Sequence, residues 1–157
     1  MNVREATVVA GLIVAHLLLR IGFGLQNAAP DLMLLALLLA SRSLSLGGGA
    51  LVGFCLGLLE DAFSMLSFGA SVFALTLVGT MGAQVRHMFV GRSIFFQSTY
   101  FFLAKWVRDL LAWLVSNPDS RDVFVDHVLI ESPVAALYVA AAGLSVRYLF
   151  LKDSARE

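Results

Sequence analysis

The stretch GALVGFCLGLLED, residues Gly49 to Asp61, decides how this chain is read. Gly49, Gly53 and Gly57 recur every fourth residue through an apolar run, and the next step of four lands on Asp61. In lipid that pattern describes a helix that lets a neighbour approach closely and ends the contact with a charge. The rest of the chain is consistent with lipid as its solvent. Of 157 residues, 59% are hydrophobic and 14% charged, and the mean hydropathy is +0.86. A soluble domain runs at roughly half apolar and a quarter charged, so this chain has too little polar surface to cover a globule. One membrane domain over residues 1–157 is the economical expectation.

Eleven basic residues balance eleven acidic ones, and no Lys/Arg run occurs. A nucleic-acid partner would want a basic stripe, so that class is excluded. The lone Cys55 lies within the glycine run, where it reads as a small hydrophobe in a close-packed helix. The start of the chain superficially resembles a signal peptide, but the apolar run continues past Arg20 and no A-x-A site follows. It is expected to be a retained first span.

Six apolar segments define an all-α, polytopic membrane fold with spans at about 6–25, 31–41, 44–63, 69–88, 93–115 and 127–150. The second, which follows Pro30, has an apolar run of about half the roughly 20 residues a span needs. It crosses only if short or tilted, and a re-entrant helix is the alternative. Basic residues set the orientation. With six spans and the N-terminus inside, Arg4, Arg42, Arg86, Arg92, Arg147, Lys152 and Arg156 fall on the cytoplasmic side. Asp31, Glu60, Asp61, Asp119, Asp122 and Asp126 fall outside, with Arg121 and Arg20 the bases there. The positive-inside rule therefore favours both termini in the cytoplasm.

Segment five carries Lys105, Arg108 and Asp109 on one helical face with Phe101, Ala112 and Ser116. A charge near mid-span costs about 2.5–3.5 kcal/mol on insertion scales, so these groups need partners inside the bundle. Depth matching suggests a buried polar cluster, with Lys105 and Arg108 as donors and Asp61, Asp109 and Glu131 as acceptors. Such a cluster either fixes the packing of segments three, five and six, or lines a cavity that binds an ion or small ligand or relays protons. The glycine face of Gly49, Gly53 and Gly57 likewise either packs within the monomer or receives a partner's helix.

Catalytic and metal-binding signatures are missing from the sequence. Gly69-Ala-Ser71-Val-Phe73 carries only the first half of a G-x-S-x-G nucleophile motif. His16, His87 and His127 are scattered singly, His16 reading as a satisfied interior histidine. Trp113 and Tyr148 suit interfacial belts. No catalytic residue, cofactor or metal is expected.

Pro30-Asp31 before a leucine-rich run, then G-x-x-x-G-x-x-x-D ending at Asp61, then Gly69 eight residues on, resembles the central signature of the rod-shape-determining protein MreD family. The likeness covers about 40 residues tightly. Two departures stand out: Glu60 precedes the aspartate where an apolar residue is usual, and Ser41 to Ser45 replace a basic or proline-containing turn. The resemblance implies a non-catalytic component of the cell-wall elongation complex in the bacterial inner membrane. Its implied partners are MreC, with a RodA-type glycosyltransferase, a class B penicillin-binding transpeptidase and MreB in the same complex. The resemblance also implies a likeness to the six-span substrate-binding subunits of energy-coupling-factor transporters. That supplies the alternative, a small-molecule binder with a cavity lined by Asp61, Arg108 and Glu131.

Overall fold

A computed structural model describes residues 3–22, 31–63, 68–85, 94–116 and 125–146. Among these residues the chain is all α-helical, without strands. The helices are α1 (Val3–Leu17), α2 (Leu32–Ser41), α3 (Leu46–Asp61), α4 (Ala70–Val85), α5 (Ile94–Val115) and α6 (Ser132–Val146). A π-helical turn, Leu18–Gly22, extends α1, and a second, Val125–Glu131, leads into α6. Several expectations concern residues outside the described ones: Arg86, His87, Arg92, Asp119, Arg121, Asp122, Arg147, Tyr148, Lys152 and Arg156. The side chains of Asp126 and His127 also fall outside them.

The second apolar segment, doubtful as a span on length, forms the centre of the bundle. α2 contacts each of the other five helices. Met33, Leu34, Leu35, Ala36, Leu37 and Leu38 have no solvent exposure at all. A helix that is apolar all round has no polar face to turn outward, so it must be sheathed. Its start is fixed by Asp31, whose Oδ1 accepts from the Leu34 N–H at 3.0 Å.

α3 begins at Ser45, whose hydroxyl caps the helix by accepting from the Gly48 N–H at 3.2 Å. Its glycine face lies against α4. A Cβ at Gly49 would run into the Gly79 carbonyl, one at Gly53 into the Leu75 carbonyl and one at Gly57 into the Val72 backbone. Gly79 answers from the other helix, where a Cβ would meet the Gly49 carbonyl. The two backbones are thus in contact along three turns, as small-residue spacing permits in membrane helices. Cys55 is not part of this seam: it is exposed, on the opposite side of α3 beside Phe54. The expectation of a close-packed cysteine is corrected by helical phase. Cys55 lies two residues from both Gly53 and Gly57, and so about 200° round the helix from each.

The α5–α6 pair closes differently. Phe101 of α5 packs over Gly143 of α6, together with Leu35 of α2. The π-helical turn before α6 has a local cause in Pro133. A proline inside a continuous helix has no N–H to donate and crowds the carbonyl four residues back, and a wider turn relieves the crowding. In π geometry the Val128 carbonyl looks to residue 133, which lacks a donor. Trp106 of α5 supplies one, its Nε1 donating to that carbonyl at 3.0 Å.

Gly53 and Gly47 make a matched pair of tests. A Cβ at Gly47 would have nothing within 4 Å. Gly53→Leu should lower the melting temperature of the purified protein in detergent, by the loss of about 1–3 kcal/mol or more that overpacking brings. Gly47→Ala should leave it unchanged or raise it, through a gain in stability of up to about 1 kcal/mol. Equal behaviour of the two variants would contradict the close α3–α4 seam.

Candidate functional site: an ionic junction between the helices

Six charged groups meet where the late turns of α1, α3 and α5 adjoin the early turns of α2 and α6. Arg108 of α5 is the hub. Its Nη2 bonds Glu60 Oε1 of α3, and its Nη1 lies 3.1 Å from Asp31 Oδ2 of α2 and 3.2 Å from Asp109 Oδ1. Lys105, one turn back, donates to Asp109 Oδ1 at 2.6 Å and sits 3.4 Å from Asp31 Oδ2. Arg20, in the π-helical turn after α1, reaches Glu60 Oε1 at 3.5 Å. Ser132, the first residue of α6, donates to Asp109 Oδ2 at 2.8 Å.

Three cations (Arg20, Lys105, Arg108) thus face three carboxylates (Asp31, Glu60, Asp109), and the junction carries no net formal charge. The side chains of Lys105, Arg108, Asp31, Glu60 and Asp109 are all at most 12% exposed, whereas Arg20 is 22% exposed. Neutrality is what makes such burial tolerable, since an isolated ion away from water costs far more than a paired one. The pairing is not complete. Asp31 Oδ2 is close to both cations but meets neither at a hydrogen-bonding angle, and Glu60 Oε2 and Arg108 Nε have no hydrogen-bond partner. His16 is buried with both ring nitrogens unpartnered, so the expected satisfied histidine is corrected.

The expected donors and Asp109 stand together in this junction; the other two expected acceptors do not join it. Asp61 is buried but turned to α4. Its Oδ2 accepts from the N–H groups of Gly69 at 2.7 Å and Val72 at 3.1 Å, and its Oδ1 from Ser71 at 3.2 Å. It caps the start of α4, where the helix dipole also favours a negative charge. Gly69 adopts φ +101°, a conformation glycine takes without strain, which brings its N–H to the carboxylate. Ser71 therefore belongs to this cap. Glu131 is exposed. Its neighbour Ser132 takes the inward position, because the π-helical turn widens the helix and shifts its phase.

Sequence reasoning missed Asp31, Glu60, Arg20 and Ser132 as members. Glu60 was legible only through its neighbour: successive residues of a helix point about 100° apart, so Glu60 and Asp61 can address different helices. One faces α5, the other α4. The cavity expected of a small-molecule binder would have needed Asp61, Arg108 and Glu131 to converge. They are directed instead to the α4 cap, the junction and the exterior. Among the described residues no cluster of His, Cys, Asp or Glu could hold a metal ion.

Comparison with protein families, with curated proteins and with solved structures finds no match to this chain.

Removing the hub leaves buried carboxylates without their cation, which typically costs about 3–5 kcal/mol. Arg108→Met should therefore lower the melting temperature sharply, and Glu60→Gln combined with it should recover part of the loss. Glu131→Gln should change little. Thermal unfolding of the four proteins in detergent reads all three outcomes, and an Arg108→Met as stable as the parent would refute the junction.

Proposed function

We propose that this chain is a multi-pass inner-membrane protein of the MreD kind, a non-catalytic scaffold of the bacterial cell-wall elongation complex that binds MreC. The observation that carries the membrane part is an inverted distribution of side chains. Paired ions are inside, while Leu51, Phe54, Phe73, Leu77, Met81, Phe95, Leu103, Leu137 and other large apolar residues are exposed. Water would drive the reverse arrangement; a bilayer accepts it.

The helix Val128–Val146 is long and apolar enough to cross a membrane, and only 33% of its most apolar 18-residue window is buried. The core helix of a soluble protein would be mostly covered. Successive helices alternate in direction, since the ends of α1 and α3 meet the starts of α2, α4 and α6. That alternation supports six crossings, with α2 as a short shielded one. Arg4 and Arg42 lie at the opposite end from the junction, which supports a cytoplasmic N-terminus.

The scaffold part rests on what the signature residues do. Gly49, Gly53, Gly57, Asp61 and Gly69 build one rigid α3–α4 unit, and the charged residues hold the remaining helices to it. Ionisable groups whose work is holding helices together suit a packing role. In the cell, a RodA-type glycosyltransferase, a class B transpeptidase and MreB would belong to the same assembly.

Purification of the tagged chain from its native membranes in mild detergent, followed by mass-spectrometric identification, should recover MreC as a stoichiometric partner. Recovery of a stoichiometric small metabolite with no MreC would overturn this reading in favour of a transporter-type subunit.

A further inference from the structure

We infer that the ionic junction encloses an internal hydration site, in which bound water links the His16 ring to the unbonded atoms of Asp31, Glu60 and Arg108. The inference rests on the junction alone, and on neither the membrane reading nor the partner proposed above. Among the described residues of α1, only His16 is buried. Leu12, Ile13 and Leu17 of the same helix are partly buried and pack against the apolar core. A helix with aliphatic side chains on both sides of the position gains no packing by turning a histidine inward. The ring brings polar atoms, and buried polar atoms need partners.

Both ring nitrogens are buried without a hydrogen bond, and so are Asp31 Oδ2, Glu60 Oε2 and Arg108 Nε. These atoms are neighbours. Glu60 Oε1 is bonded to Arg108 Nη2, and Asp31 Oδ2 lies 3.1 Å from Arg108 Nη1, so both carboxylates are arranged about one planar guanidinium. α1 packs on α2, and His16 is within electrostatic range of Asp31. Asp31 Oδ2 is drawn to two cations but aligned with neither, which leaves its lone-pair directions open to a further donor.

The composition of this set selects the ligand. The two carboxylate oxygens accept, Arg108 Nε donates, and a neutral imidazole does one of each. A metal ion would be opposed by the Arg108 N–H, and an anion by the two carboxylates. The formal charges already balance, three against three, so an added ion of either sign would leave a buried excess. Water is neutral and both donates and accepts. It suits a polar site that offers several partners, and a bridge through it is nearly as good as a direct bond. Arg20, the most exposed member of the junction, marks the rim by which water enters.

The test is water-edited solid-state NMR of the full chain in lipid bilayers, labelled uniformly with carbon and nitrogen isotopes. The His16 ring is assigned by sequential correlation through Ala15 and Leu17. Magnetisation from water should reach the ring well before it reaches the amides of Leu37 and Leu38, residues with no solvent exposure. A ring reached no sooner than those amides would overturn the site. A crystal structure of the same protein should show ordered solvent within hydrogen-bonding distance of a His16 nitrogen and of Asp31, Glu60 or Arg108. His16→Phe should remove that solvent while leaving the pairs of Arg108 with Asp31 and Glu60 in place. A direct bond from the ring to a protein atom, or solvent unaffected by His16→Phe, would count against the proposal. So would an anomalous-scattering peak at the site after soaking with bromide or rubidium ions, since that would make it an ion site.

Discussion

One guanidinium ties the bundle together. Arg108 reaches from α5 to Asp31 at the start of α2 and to Glu60 at the end of α3, and Glu60 in turn receives Arg20 from beyond α1. Through Asp109 the same junction takes in Ser132 at the start of α6. Five helices are therefore registered against one another by a single neutral knot. Arginine suits this position because its planar, always-charged fork addresses several carboxylates at fixed angles. A lysine could supply the charge but not the simultaneous directions.

The sixth helix, α4, is held by different means. The glycine seam brings α3 and α4 into backbone contact, and Asp61 closes the far end of that seam on the first N–H groups of α4. Glu60 and Asp61 thus divide the labour between them. Glu60 joins the junction, while Asp61 caps a helix. Neither could do the other's work without turning α3 about its axis, which the interlocked seam forbids.

The helical class, the existence of all six apolar segments and the inward face of α5 were legible in the sequence, because each rests on local periodicity. Lys105, Arg108 and Asp109 fall on one face at any reasonable helical pitch. Their partners were not legible, because pairing depends on which helices are neighbours. Glu131 was read as inward from its depth alone, and in the π-helical turn ahead of Pro133 the inward place goes to Ser132 instead. Asp31 looked like no more than a helix start. It is a cap through one oxygen and an ion-pair partner through the other. The depth of α2 could not be read either: its 10 residues suggested a marginal element, yet every other helix packs on it.

In the multi-pass reading proposed above, that central placement constrains how the protein is made. An α-helix rises about 1.5 Å per residue, so the 10 residues of α2 cover about 15 Å, half of a roughly 30 Å hydrocarbon layer. Such a segment cannot be handed to lipid as an independent unit during synthesis, as the first stage of two-stage membrane folding requires. It must wait, paired with α3 or held at the headgroups, until α5 and α6 have emerged to enclose it. Biogenesis is then cooperative from end to end: a ribosome that stalls before α5 leaves the centre of the bundle without its walls.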